Sequence, residues 1–158
     1  MVRVIEGAPR AAGFRFALVV SRYHDFVTSR LEAGAVEALL GAGADPTAVA
    51  VVRVPGAFEI PLAAQHAAAS RRFDAVICLG CLIRGETPHF DYIASAVAHG
   101  LTAAAAATGV PMAFGVLTTN SAEEALARAG DGPTNKGHEA ATAGMEMAGV
   151  VAGLLGPS

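Results

Sequence analysis

Short apolar runs alternate with segments of helical periodicity along most of this chain. Four runs have the length and composition of strands that are buried on both faces; they cover residues 14–20, 48–54, 74–80 and 111–119. Helical patterns follow them: one over 25–40, one ending near Arg72, one over 87–107, a short one over 121–130 and one over 136–154. This alternation predicts an α/β fold, with a four-stranded parallel sheet, right-handed crossovers and helices on both faces.

Polar residues at three of the helix starts are expected to act as N-caps. Asp25 and Thr87 each stand just before a helical pattern, and Pro88 then suits the first helical position. Ser121 and Glu124 have the spacing of a capping box.

The size and composition of the chain limit its class. The 158 residues suffice for one domain, and we predict an N-terminal arm over 1–13 and a single domain over 14–155. The first residues have no apolar run typical of a signal peptide, and no segment is apolar enough to cross a membrane, so we expect a cytoplasmic protein. The net charge of −3 offers no basic surface for nucleic acid.

The apolar content is high, with 53% hydrophobic residues. We expect the surplus to be buried between identical subunits. The alternative is a composition that is merely rich in alanine.

The residues that follow the four strands carry most of the unusual chemistry. In a parallel sheet, ligands bind beyond the carboxyl ends of the strands, which all lie at one edge. The segments at that edge are SRYHD (21–25), PGAFE (55–59), CLIRGETPH (81–89) and TTNS (118–121). We therefore predict a ligand site there.

His89 is the first candidate for proton transfer. It falls in the first turn of a predicted helix, where free N–H groups and the positive end of the helix dipole disfavour an imidazolium ion. A neutral imidazole can accept or pass on a proton. The N–H groups of Glu86 and Thr87 could hold an anion such as phosphate. The alternative is a solvent-facing histidine that merely begins a helix.

Several other side chains have both a functional and a structural interpretation. Arg128 and Lys136, the only lysine, could bind a phosphate dianion, or could be solvated charges. A lone lysine can also form a Schiff base, but the NKG turn favours a point charge. Tyr23 could stack on a flat ring or pack in the core or at the rim, and Glu59 could accept a hydrogen bond or only favour a helix start. From the sequence alone, Phe58 and Phe114 are expected to be core residues.

Four familiar functional motifs are incomplete or absent in this sequence. GCLIRGET (80–87) has P-loop spacing, but Glu86 stands where the phosphate-binding lysine belongs. Cys78 and Cys81 form a C-x-x-C whose first cysteine lies inside a strand, unlike a redox pair at a helix start. The five histidines lack zinc-ligand spacing, and no G-x-G-x-x-G follows a strand.

Taken together, six stretches resemble the 6,7-dimethyl-8-ribityllumazine synthase family. They are RYHDF (22–26), VPGAFEIP (54–61), GCLIRGETPHFDY (80–92), AFGVLTTN (113–120), ALARAG (125–130) and NKG (135–137), with IRGETPHFDY the most specific. The resemblance implies a flavodoxin-like three-layer sandwich. It also implies a transferase of riboflavin biosynthesis that condenses 5-amino-6-(D-ribitylamino)uracil with L-3,4-dihydroxy-2-butanone 4-phosphate, releasing phosphate and water, with no metal and no cofactor.

The same resemblance implies roles for individual residues. His89 would transfer protons, and Arg128 and Lys136 would serve the phosphate, which makes these three the implied catalytic set. The backbone of Glu86 and Thr87 would contact the phosphate of the ketone substrate, and Tyr23 would stack on the pyrimidine. The remaining substrate-binding positions would be Ala57, Phe58, Glu59, Cys81, Leu82, Ile83 and Phe114. Phe114 and Arg128 would come from a neighbouring subunit.

The partners implied are further copies of the chain. The family forms homopentamers, some members build shells of sixty subunits, and association with a riboflavin synthase is compatible with the resemblance. Two positions depart from the commonest pattern: Tyr23 stands where Phe or Trp is usual, and His24 where Asn is often found. Two alternatives to the enzyme stay open: a flavin-binding module of the same fold that has lost catalysis, and a shell protein whose catalysis is incidental.

Overall fold

The four predicted strands form one parallel sheet, in a computed structural model that describes residues 1–156. The strands are β1 (Phe16–Ser21), β2 (Val49–Val54), β3 (Ala75–Ile83) and β4 (Met112–Thr119), and their order across the sheet is β2-β1-β3-β4. Each pairing is parallel, with Leu18 opposite both Val51 and Ile77. The α/β prediction is therefore confirmed, and β3 runs three residues past the predicted end, into the stretch that carries the candidate site.

The helices cover both faces of the sheet, as predicted. They are α1 (Asp25–Gly41), α2 (Ile60–Ala69), α3 (His89–Thr108), α4 (Ala122–Ala127) and α5 (Lys136–Leu155). Successive side chains of a strand point to opposite faces, so Phe16 and Leu18 pack with α1 and α5, whereas Ala17 and Val19 pack with α2 and α3. Two apolar cores thus sandwich the sheet and fix the position of its carboxyl edge.

Helices α1 and α5 approach each other closely near the start of α5. A Cβ at Gly137 would fall on the backbone carbonyl of Leu31, so only glycine allows this crossing. The contact fixes where α5 begins relative to the rest of the core.

Two of the three predicted helix caps are wrong. His24, not Asp25, is the N-cap of α1; its backbone is left-handed (φ 63°, ψ 46°), and its carbonyl accepts the N–H groups of Val27 and Thr28. Pro88, not Thr87, is the N-cap of α3, and its carbonyl accepts the N–H groups of Asp91 and Tyr92. These carbonyls make the ordinary first hydrogen bonds of each helix, and neither helix has a side-chain cap, so a rule based on capping side chains gives no signal here.

The third predicted cap, at α4, is confirmed. Ser121 Oγ accepts the N–H of Glu124 at 3.1 Å, and the Glu124 carboxylate reaches back to the N–H of Asn120 at 3.2 Å. The reciprocal pair resembles a capping box with its second bond shifted by one residue.

The first fifteen residues have no helix or strand and lie partly along α5. A Cβ at Gly7 would fall on the carbonyl of Glu146, which shows how closely the arm approaches that helix. The division into an arm (1–13) and a domain (14–155) stays a prediction. Within residues 1–156, none of the helices combines the length and apolarity that crossing a bilayer would require.

Candidate active site

A cleft of about 790 Å³ opens at the carboxyl edge of the sheet, where the site was predicted. Four segments form its wall: the turn after β1, the turn after β2, the end of β3, and the loop that leads into the start of α3. The predicted site residues that line it are Tyr23, Ala57, Phe58, Glu59, Cys81, Leu82, Ile83, Thr87 and His89. Residues far apart in the chain therefore meet in one cavity because parallel strands end at the same edge.

The inner wall of the cleft is apolar and chemically quiet. Cys81, Leu82 and Ile83 form the last stretch of β3, and Cys81 is 1% exposed. Burial raises the pKa of the Cys81 thiol to about 11 and that of Cys78 to about 12, so both stay protonated at neutral pH. Neither free thiol has the lowered pKa of a nucleophile, which agrees with rejecting a redox pair.

The outer part of the cleft carries aromatic rings that lack full packing. Tyr23 is 68% exposed and Phe58 62% exposed, although both are large apolar surfaces. The expectation that Phe58 is a core residue is therefore wrong, and Tyr23 does not pack in the core either. Such rings can cover a flat heterocycle at little further conformational cost.

His24 also lines the cleft and supports the Tyr23 ring. The two rings meet edge to face, with centroids 4.5 Å apart, and Phe26 meets His24 from another side at 5.8 Å. Asn, Asp and His are the residues most enriched in left-handed backbone, which explains how His24 adopts this conformation. Partial burial lowers the pKa of His24, so its ring is neutral at pH 7.

The start of α3 brings His89 to the cleft beside a polar loop. His89 is the first helical residue, as the prediction of a first-turn position requires, and its side chain is exposed. Gly85 and Thr87 line the cleft, whereas Glu86 does not. Within residues 1–156, the N–H groups of Gly85, Glu86 and Thr87 have no acceptor, so they are available to an anion.

Tyr92 and Ile93 also line the cleft and were missed from the sequence. They follow His89 by three and four positions, so they lie on the same face of α3. Helical periodicity applied to His89 would have found them.

The other three predicted residues lie elsewhere. Phe114, Arg128 and Lys136 line a second cleft of about 410 Å³, between the edge strand β4 and α5, which shares no lining residue with the first. Phe114 is 52% exposed on that edge, so the expectation that it is a core residue is also wrong. Within one subunit, the residues that were predicted to form one site therefore lie in two separate clefts.

Arg128 and Lys136, the two cationic residues of the second cleft, are joined through their backbones. The N–H of Lys136 donates to the carbonyl of Arg128 at 2.9 Å. Arg128 Nη1 donates to the carbonyl of Glu124 at 3.0 Å, and Lys136 Nζ lies 2.8 Å from Glu139 Oε2. These exposed contacts are weak enough to be exchanged for a phosphate dianion.

Asn135 fixes this pair and was also missed. Its side chain is 3% exposed, and Nδ2 donates to the carbonyls of Arg30 and Gly130, at 3.1 and 2.9 Å. Oδ1 accepts the N–H groups of Gly137 and His138, at 2.7 and 3.1 Å, and so caps α5. An asparagine directly before a helical pattern is the signal that could have identified the cap.

Comparison with known proteins gives one consistent result. The model of a family described as 6,7-dimethyl-8-ribityllumazine synthase matches residues 13–152. A 6,7-dimethyl-8-ribityllumazine synthase from Syntrophus aciditrophicus (strain SB) is 52% identical over 147 residues, which cover 93% of this chain and 96% of that protein.

Proposed function

The chain belongs to the 6,7-dimethyl-8-ribityllumazine synthase family, and from that membership we propose how its two clefts perform the reaction. The protein is an enzyme of the transferase class with lumazine synthase activity in riboflavin biosynthesis. This activity decides against the alternative raised from the sequence, a module of the same fold that only binds flavins.

The carboxyl-edge cleft binds both substrates in this proposal. The observation that carries it is that exposed Tyr23 and Phe58, the Glu59 carboxylate and His89 all line one cavity of about 790 Å³. The pyrimidine of 5-amino-6-(D-ribitylamino)uracil stacks on Tyr23, and Glu59 accepts hydrogen bonds from its polar groups. The apolar end of β3 excludes water from the reacting amine.

The phosphate of L-3,4-dihydroxy-2-butanone 4-phosphate binds at the loop before α3. The free N–H groups of residues 85–87 and the positive end of the α3 dipole favour a dianion there. Glu86 contributes only its backbone, because its side chain lies outside the cleft.

His89 transfers protons between the bound substrates. The uracil amine attacks the ketone and an imine forms with loss of water; phosphate then leaves, and the ring closes with loss of a second water. Each step moves a proton on or off nitrogen, carbon or oxygen, and His89 can accept and donate one because it lines the cleft at the start of α3, next to the loop 85–87. Holding the two substrates together contributes the larger part of the rate.

A second subunit completes the site. Phe114, Arg128 and Lys136 occupy an open cleft at the β4 edge that is separate from their predicted partners. In a cyclic homo-oligomer, the β4 edge of one subunit can meet the carboxyl-edge cleft of the next. We propose a homopentamer in which Arg128 and Lys136 of one subunit neutralise the phosphate bound by its neighbour. A larger shell, association with a riboflavin synthase, and a cytoplasmic location stay predictions.

Mixing two defective variants tests this proposal. His89→Ala and Arg128→Ala chains are unfolded together, refolded, and assayed for lumazine product by absorbance against each variant refolded alone. If sites lie between subunits, roughly a quarter of the sites in a random mixture combine intact His89 with intact Arg128, so activity rises well above both parents. Activity equal to the parental average, in mixed oligomers verified by native mass spectrometry, would place both residues in one subunit's site.

A further inference from the structure

Arg84 lies between two parts of the carboxyl-edge cleft without lining it. It follows Ile83 at the end of β3 and precedes the loop Gly85–Thr87, here called the anion loop. Its backbone N–H donates to the carbonyl of Thr119 at 2.8 Å, so the chain is still paired to β4 at this point.

The Arg84 side chain joins three elements. Nε donates to Asn120 Oδ1 at 3.2 Å, just past the end of β4. The guanidinium also faces the Asp91 carboxylate, with Nη1–Oδ2 and Nη2–Oδ1 both 3.4 Å, in the first turn of α3. Its Cζ lies 4.4 Å from the centroid of the Phe90 ring.

The residues that Arg84 contacts on α3 directly follow His89. Phe90 is 9% exposed, so it anchors the first turn in the interior, and the guanidinium covers its outer face. A planar guanidinium can stack on a ring while it donates in its own plane to two acceptors; an ammonium group cannot do both. The geometry is therefore specific to arginine.

The Arg84 contacts contribute little to overall stability because the side chains that make the ion pair are exposed to solvent. The side chains of Arg84 and Asp91 are 48% and 61% exposed, and ion pairs at such exposure stabilise a fold weakly. What they can fix is local: the position of the anion loop and of His89 relative to the end of β4.

We propose that Arg84 is a positioning residue for the reaction, which holds the anion loop and His89 in place through Asn120, Asp91 and Phe90. This rests on the proposed function of the cleft. Arg84 touches no substrate. It sets the position of the phosphate held by the anion loop relative to the His89 imidazole.

The first test compares Arg84→Lys with wild type in the lumazine assay and in binding. The lysine keeps the charge but loses the planar contacts. We expect kcat/KM for the butanone phosphate to fall about 10- to 100-fold, as misplacement of a catalytic group does. The Kd for the uracil substrate alone should stay within about twofold, because Tyr23, Phe58 and Glu59 lie on other segments.

Arg72→Lys is the matched control. Arg72 also stands over a phenylalanine, Phe73, with its Cζ 5.7 Å from the ring centroid, but at the amino end of β3. The kinetics of the Arg72→Lys enzyme should equal those of wild type. If Arg84 acted only through its charge, Arg84→Lys would behave like this control, and the proposal would be overturned.

Asn120→Ala gives a second, independent variant. It removes the acceptor of Nε and leaves the Arg84 charge, so we expect the same pattern with a smaller loss, about 3- to 10-fold. Combined with Arg84→Lys, the losses should be less than multiplicative because both remove one contact. Wild-type kinetics in Asn120→Ala, or losses that multiply, would overturn the proposal, even if Arg84→Lys failed to fold.

The outcome is distinguishable from failure of the proposed function. An inactive wild type would reject the proposed site, whereas an active wild type with unaffected Arg84→Lys rejects only the role of Arg84. An equal loss of uracil binding would show a general collapse of the cleft and would also reject the positioning role.

Discussion

Replacing Asn135 with alanine should destabilise the protein far more than the loss of an ordinary helix cap. The side chain is 3% exposed and makes four hydrogen bonds, to Arg30, Gly130, Gly137 and His138. It connects the beginning of the α4–α5 loop and the start of α5 to the first half of α1. No other single side chain of the described residues is bonded at once to so many separated positions.

The loss of stability in Asn135→Ala depends on the hydrogen bonds that the substitution removes. Loss of the cap at the start of α5 costs about 1 kcal/mol. The carbonyls of Arg30 and Gly130 each lose one hydrogen bond at a partly buried position, which adds about 1 kcal/mol each. The sum is about 3 kcal/mol, and for a domain of this size each kcal/mol lowers Tm by about 2–4 °C, so we expect a fall of about 6–12 °C.

Two variants separate the contributions. Ser121→Ala removes the single cap bond of α4 and should cost only about 1 kcal/mol. Asn135→Asp keeps an acceptor for Gly137 and His138 but places a carboxylate oxygen against the two carbonyls. It should therefore be no more stable than Asn135→Ala, although a negative charge at a helix start is otherwise favourable.

The assay is thermal unfolding at one protomer concentration, with the assembly state measured by light scattering, because association shifts Tm. Asn135→Ala with a Tm loss no larger than that of Ser121→Ala would refute the reasoning. Asn135→Asp with wild-type stability would show that the two carbonyls do not depend on Nδ2.

Three further outcomes are expected. His89→Ala should lower kcat by about 10²-fold or less, because positioning dominates; a loss beyond about 10⁴-fold in a folded assembly would contradict that view. Arg128→Ala should raise the KM for the butanone phosphate far more than that for the uracil, as steady-state kinetics with each substrate varied will show; equal effects would contradict its assignment to the phosphate. Ser21 is 1% exposed, and its hydroxyl has no hydrogen-bond partner among residues 1–156. Ser21→Ala should therefore leave the free energy of unfolding unchanged or raise it by up to about 2 kcal/mol, and a loss above about 1 kcal/mol in denaturant titration would be inconsistent with an unsatisfied hydroxyl.

Residue type predicted a helix cap correctly where the capping side chain bonds to a residue nearby in the chain. Ser121 caps α4 because its hydroxyl needs only the N–H of Glu124, three residues on. It failed at α1 and α3, where His24 adopts a left-handed backbone and the Pro88 carbonyl begins the helix. Backbone conformations of single residues are set by how the whole loop must turn, which a side-chain preference does not encode.

The sequence by itself determined the order of strands and helices, the parallel sheet, and the edge at which the cleft opens. Continuously apolar runs can be buried only between two helical layers, and parallel strands necessarily end together. No pattern in the sequence placed Arg128, Lys136 and Phe114 together in a second cleft, away from His89; only the family resemblance implied that Phe114 and Arg128 serve a neighbouring subunit. The tertiary structure also decided that Asn135 bonds to Arg30, 105 residues earlier in the chain. Such choices depend on how helices pack on each face and on which strand lies at the edge, and no periodicity within a segment carries that information.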